Sequence, residues 1–177
     1  MNRAGSAARH VVLVGLMGSG KTTVGRLLAQ RLGRPFVDSD EVIEAREGRT
    51  VREIWLTDGE PAFRELETAA LRAALAGEVP SVIAAAGGVV LADRNRLAIT
   101  ESGVDVVWLH ADPEVLAGRA TRGDHRPLLD GDPAATLRAM ATDREELYRE
   151  VATAAIDVAD RSPAEVADAI ESQVLDD

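Results

Sequence analysis

The sequence has no cysteine among its 177 residues, which excludes disulfides and thiolate metal sites. Aromatic residues make up only 3% against 46% hydrophobic residues overall, so the core must be built from Val, Leu, Ile and Ala. Positive charge is in deficit. Twenty Lys and Arg stand against 30 Asp and Glu, a formal net charge of −10, which argues against general binding to nucleic acid or anionic membranes. An anionic ligand needs a local cluster of arginine or lysine against that background. The three histidines, His10, His110 and His125, are too far apart for a short metal motif. No apolar run approaches the roughly 20 residues that span a bilayer. The first ten residues lack the apolar stretch of a signal peptide and read as a frayed tail. A cytoplasmic enzyme or binding domain, in one domain over residues 1–177, is the expectation.

What is present is an alternation of apolar runs and helical spacings. His10 to Gly15, Pro35 to Val37, Val82 to Ala85, Val104 to Leu109 and Ala155 to Val158 read as strands. Helices are expected over Lys21 to Leu32, Glu41 to Glu47, Val51 to Leu56, Glu60 to Ala76, Arg94 to Thr100, Pro113 to Thr121, Pro133 to Val151 and Pro163 to Leu175. Ser162 and Glu165 have capping-box spacing around a proline at the first helical position. The order points to a parallel sheet wrapped by helices, an α/β fold.

Gly15-Leu16-Met17-Gly18-Ser19-Gly20-Lys21-Thr22 fits G-x-x-x-x-G-K-[ST], after an expected strand and at the start of an expected helix. Its glycines let successive N–H groups converge on phosphate oxygens, and the helix terminus adds positive charge there. Lys21 would reach the β- and γ-phosphates and Thr22 would hold Mg²⁺, which makes this a nucleoside triphosphate site.

Phe36-Val37-Asp38-Ser39-Asp40 puts two carboxylates just past the second strand. On extended chain, residues two apart point the same way, so both would face the γ-phosphate. One would hold Mg²⁺ waters and the other would accept a proton from an attacking hydroxyl. The plain alternative is helix capping by Asp38, Ser39 or Asp40. Arg64 either pairs with Glu60 or Glu67 at helical spacing or presents a fork to a substrate carboxylate. From spacing alone the pairing is favoured. Arg119 to Gly131 carries several arginines amid glycine and proline, which suits either a solvated loop or a lid that brings arginine onto phosphate. Arg144 reads equally as a surface salt-bridge residue. In Ser81-Val82-Ile83-Ala84-Ala85-Ala86-Gly87-Gly88, the glycine pair marks a plain turn or a place where a ligand comes close to the backbone.

Taken together, the phosphate loop, Asp38-Ser39-Asp40, Asp58-Gly59-Glu60-x-x-Phe63-Arg64-x-x-Glu67, Gly87-Gly88, Arg126-Pro127-Leu128-Leu129 and Arg144-x-x-Leu147-Tyr148 resemble the shikimate kinases in order and approximate spacing, from Val11 to about Leu175. The resemblance implies a three-layer α/β/α P-loop kinase fold on a central parallel five-stranded sheet. Residues 1–9 would form a tail, about 38–67 the substrate-binding region and about 119–131 a mobile lid. It implies transfer of the ATP γ-phosphoryl group to the 3-hydroxyl of shikimate, a step toward chorismate and the aromatic amino acids, with Mg²⁺ and with no nucleic-acid or membrane partner.

The same resemblance distributes the residues. Gly18, Ser19, Gly20, Lys21, Thr22 and Thr23 would bind phosphates. Thr22 and Asp38 would hold the metal, and Asp40 would contact shikimate and act as base. Arg64, supported by Glu67, and Arg144 would clamp its carboxylate, with Gly87, Gly88, Trp55 and Phe63 around its ring. Arg126 would close over the phosphates. Arg119, Arg161 and Pro163 would lie near the adenine. The family usually has three glycines after this strand, preceded by Ser-Leu, where this chain has Ala84-Ala85-Ala86-Gly87-Gly88. Alanine keeps the backbone N–H and is tolerated at Ala86 if that residue avoids positive φ. A gluconate-kinase-like enzyme and a non-catalytic nucleotide-binding regulator are the competing expectations. Small size and no obvious apolar stripe favour a monomer.

Overall fold

The structure, a computed structural model, describes residues 9–120 and 131–175. Five parallel strands form one sheet: β1 (Val11–Val14), β2 (Phe36–Asp38), β3 (Val82–Ala84), β4 (Asp105–His110) and β5 (Ala154–Asp157), in the order β2-β3-β1-β4-β5. β1 is central, pairing Leu13 with Ala84 on one side and with Val107 on the other. Strand alternation divides the core. Val12, Val14, Ile83, Val106 and Trp108 belong to one layer; Val11, Leu13, Val107 and Leu109 belong to the other. With helices on both faces, the inner strands are covered twice, and β1 and β3 have no exposed residue.

The helices are α1 (Lys21–Leu32), α2 (Ser39–Glu47), α3 (Val51–Leu75), α4 (Asp93–Glu101), α5 (Pro113–Ala120), α6 (Pro133–Val151) and α7 (Pro163–Ile170). α1 stops at Gly33, whose φ of 62° closes the C-cap. α7 starts with the expected capping box of Ser162 and Glu165, then widens into a π-helical turn over Glu171–Leu175. Leu28 of α1 and Val166 and Ile170 of α7 cover one sheet face; Leu71 of α3, Ile99 of α4, Leu116 of α5 and Leu137 of α6 cover the other.

Two expected helices, Val51 to Leu56 and Glu60 to Ala76, run on as α3 with a break at Gly59, where φ 83° and ψ 171° are non-helical. A separate small core of Ile43, Ile54, Phe63 and Ala70 joins α2 to both halves of α3. That core holds α2 and α3 together separately from the two core layers against the sheet.

Candidate active site

All the ligand-facing elements end at the carboxyl edge of the sheet, where open α/β sheets bind their ligands. The phosphate loop runs from β1 into α1 through three glycines at positive φ: Gly15 at 145°, Gly18 at 79° and Gly20 at 88°. At two of them space is also decisive. A Cβ on Gly15 would stand 2.3 Å from the Leu109 carbonyl oxygen, and one on Gly18 would stand 2.4 Å from that of Leu116. The loop is therefore pressed against β4 and α5. Lys21 Nζ donates to the carbonyls of Gly15 and Leu16 at 2.8 and 3.0 Å, so the ammonium already arches over its own loop.

Asp38 caps α2 with one oxygen and meets Thr22 with the other. Its Oδ1 accepts from the backbone N–H groups of Asp40 and Glu41, capping α2, while its Oδ2 accepts from Thr22 Oγ1 at 2.7 Å. Because β2 ends at Asp38, Asp40 already lies in the first turn of α2. The extended-chain reason for placing the two carboxylates side by side is therefore replaced by a strand-to-helix turn. Both still line one cleft. Glu41 completes no capping box; its carboxylate pairs with Arg26.

That cleft has a volume of about 940 Å³, within the range of ligand sites. Gly18, Ser19, Gly20, Lys21, Thr22, Thr23, Asp38, Asp40, Trp55, Arg64, Glu67, Gly87, Gly88, Arg119, Arg144, Arg161 and Pro163 all line it. Arg126 lies outside the described residues. Phe63 does not reach the cleft. It is buried behind Trp55, with the two ring centroids 5.5 Å apart and nearly perpendicular. The indole forms the wall and the phenyl backs it. At the other end, Arg119 Nη2 donates to the carbonyls of Val158 and Ala159 at 2.8 and 2.6 Å, which pins its guanidinium beside Arg161 and Pro163.

Arg64 makes the pairing that its spacing favours, with both acids. Its Nη1 bonds Glu67 Oε2 at 2.6 Å, its Nη2 bonds Glu60 Oε1 at 2.9 Å, and its guanidinium lies 5.3 Å from the Trp55 ring. Burial works against the Arg64 cation, yet Glu67 and Glu60 outweigh it and hold the group above the ordinary arginine value. Burial also pushes the Glu67 carboxyl up; Arg64 and Arg144 pull it down, and Asp40 pushes it further up. Those mutual effects put Asp40, Arg64, Glu67 and Arg144 in one electrostatic neighbourhood. Arg144 is 8% exposed, which overturns the surface salt-bridge alternative: its Nη1 bonds the Gly87 carbonyl at 3.3 Å.

The glycine pair is explained by space. Neither Gly87 nor Gly88 has positive φ, but a Cβ on Gly88 would stand 1.7 Å from Arg64 Nη1 and 2.9 Å from Glu67 Oε2. The group that comes close to Gly88 in this structure is thus the Arg64–Glu67 pair. Ala86 is not at positive φ, so it takes the place of a glycine without backbone strain. Ala84 sits opposite Asp38 in the β2–β3 register, at the mouth of the same cleft.

A family model for shikimate kinase matches residues 17–175. The chain belongs to the shikimate kinase family. It is 53% identical over 146 residues to a shikimate kinase of Symbiobacterium thermophilum, covering 81% of this chain and 83% of that one. A solved structure of a shikimate kinase from Acinetobacter baumannii in complex with shikimate superimposes with a TM-score of 0.90 at 37% identity, over 96% of this chain and 94% of that one. A gluconokinase from Sinorhizobium meliloti 1021 is more distant, with a TM-score of 0.61 at 25% identity over 91% of this chain and 88% of the other. The five-stranded parallel sheet flanked by helices is thus the fold of the shikimate kinases, as the sequence resemblance implies.

Proposed function

We propose that this chain transfers the γ-phosphoryl group of ATP to the 3-hydroxyl of shikimate. The observation that carries the reading is one cleft in which a phosphate loop and Asp40 meet two inward arginines, Arg64 and Arg144, in a chain of net charge −10. Such a pair suits a single carboxylate on a small, otherwise neutral ring.

In this reading the loop N–H groups of Gly18, Ser19 and Gly20 hold the phosphates, and Thr23 lines their path. Lys21 leaves its two carbonyl partners to bridge the β- and γ-phosphates. Arg119, Arg161 and Pro163 frame the adenine, and Arg126 closes over the phosphates. The Thr22 hydroxyl and the Asp38 carboxylate, both hard oxygen donors and already 2.7 Å apart, fit Mg²⁺ held mainly by phosphates and water. Mg²⁺ bound there neutralises charge on the phosphates.

Arg64 and Arg144 take the substrate carboxylate, Trp55 packs on the ring, and Asp40 faces the hydroxyl. The hydroxyl oxygen bonds the γ-phosphorus, the bond from that phosphorus to the bridging oxygen of ADP breaks, and the proton passes to Asp40. A coupled ADP-release assay against shikimate, quinate, gluconate and nucleoside monophosphates tests the reading. The expected result is turnover dependent on shikimate and Mg²⁺. Preference for gluconate, or tight ATP binding with transfer to none of these acceptors, would replace it.

A further inference from the structure

Tyr148 is the only tyrosine in the chain and has no role in the chemistry above. It stands four residues after Arg144 on α6, so the two side chains share one face of that helix. Its side chain is fully buried, and its ring lies over Trp108 with centroids 6.0 Å apart and planes 23° apart. Its hydroxyl donates to the Gly87 carbonyl at 2.6 Å, the same oxygen that Arg144 Nη1 reaches at 3.3 Å. The neutral phenol therefore makes the tighter bond, and the charged guanidinium the looser one.

Gly87 also lies beside the phosphate loop. A Cβ there would stand 3.3 Å from the Gly15 carbonyl oxygen, the oxygen that Lys21 contacts, and 3.6 Å from the Tyr148 hydroxyl. The next residue, Gly88, lies directly against the Arg64 guanidinium. One carbonyl thus anchors the short segment on which both arginines of the substrate end depend. We propose that Tyr148 is a positioning residue for the carboxylate clamp: it satisfies the Gly87 carbonyl, which keeps Gly88 beneath Arg64 and leaves the Arg144 guanidinium for the substrate. Without the hydroxyl, Arg144 is the remaining side-chain donor to that oxygen. A carbonyl deprived of a good partner is costly, so the guanidinium is drawn toward it and away from the incoming carboxylate. Burial pushes the Tyr148 phenol up to about 12 against the pull of Arg144. It stays a donor throughout the neutral range and exchanges no proton with the substrate.

The proposal rests on shikimate being the acceptor, so the test compares shikimate with its methyl ester, which lacks the carboxylate charge. Tyr148→Phe keeps the ring and removes the donor. Its kcat/KM preference for shikimate over the ester should narrow about tenfold relative to the unsubstituted protein, the size of one lost hydrogen bond. KM for ATP and kcat at saturating shikimate should stay within about twofold. Equal losses on both acceptors, or no loss, would overturn the positioning role, because a merely structural residue does not distinguish them. An unsubstituted protein inactive toward shikimate would instead overturn the functional reading. A second measurement needs no substitution that risks the fold. Biosynthetic 3-fluorotyrosine labels Tyr148 alone, and its ¹⁹F resonance should shift with shikimate but not with the methyl ester. A resonance indifferent to shikimate would also overturn the proposal.

Discussion

The two ends of the cleft are built by different physics. The nucleotide end is backbone: a continuous loop whose glycines at Gly15, Gly18 and Gly20 take positive φ so that N–H groups converge. The acceptor end is side chain: Asp40 from α2, Arg64 and Glu67 from α3, and Arg144 from α6, brought together across more than a hundred residues. Glycine serves both ends for opposite reasons. At Gly20 the backbone angle demands it and the surrounding space is open; at Gly88 the angle is ordinary and the space is taken by a guanidinium. A contiguous device fixes where phosphate goes, whereas a dispersed one decides what receives it.

The sharpest way to break that division is to remove one cation from each end. Lys21→Ala should lower kcat by about 10²–10³-fold with every acceptor, since it removes charge stabilisation from the transferring group. Arg64→Ala should instead raise KM for shikimate on the order of 10²-fold, because it removes one cation and leaves buried Glu67 without its partner. Steady-state kinetics with ATP and shikimate varied separately checks both. A fall in kcat alone for Arg64→Ala would mean that the two ends are not separable.

The glycines give a second, smaller contrast. Gly88→Ala should raise KM for shikimate by about tenfold with little loss of stability, since the displaced atoms belong to a long side chain that can move. Gly20→Ala should cost about 1–2 kcal/mol of stability, because alanine is strained at a φ of 88° whatever the space. Thermal melts and initial rates on both variants decide it. If Gly88→Ala were the less stable of the two, the Arg64–Glu67 pair would be held too firmly to move aside.

The same contrast explains what could be read from the chain. The phosphate loop, the alternation of strands and helices and the α7 cap are local, and local rules found them: Ser162 and Glu165 cap α7. Asp38 was legible as either a cap or a metal ligand because each reading is local; that one oxygen caps α2 while the other meets Thr22 depends on packing that spacing does not carry. Arg144 looked like a surface residue because charge spacing on a helix does not report what packs against it. Tyr148 stood in the Arg144-x-x-Leu147-Tyr148 motif, but nothing in that spacing gave it a role, since its partner carbonyl is 61 residues away in sequence. Ala84 and Ala86 departed visibly from the family pattern, yet that Ala86 is unstrained depends on a backbone angle that composition does not carry.

Trp55 offers a direct view of the acceptor end. It and Trp108 are the only tryptophans, and Trp108 lies outside the cleft lining beside Tyr148. In a Trp108→Phe variant the emission that remains is that of Trp55. Shikimate should change it at saturation, whereas ATP alone should change it much less. Equal responses to both ligands would place Trp55 on a motion shared by the whole cleft.

The smallest effect expected lies at the edge of the acceptor region. Arg49 Nη1 and Nη2 meet Asp58 Oδ1 and Oδ2 at 3.0 and 2.7 Å, a two-pronged pair that ties the turn between α2 and α3 to the residue before the Gly59 break. The Arg49 guanidinium, with help from Thr57, holds the Asp58 carboxyl down to about 2. An acid lowered in the folded state contributes stability above its ordinary value near 3.8, and loses it as pH falls toward 2. Asp58→Asn should therefore melt slightly below the unsubstituted protein at pH 5–7, and that gap should close as pH falls from about 4 to 2. The pair is solvent-exposed, so the gap should also shrink in high salt. A gap unchanged by acid and salt would show that Asp58 supports the turn through its hydrogen bonds rather than its charge, leaving the acceptor end without an electrostatic hinge.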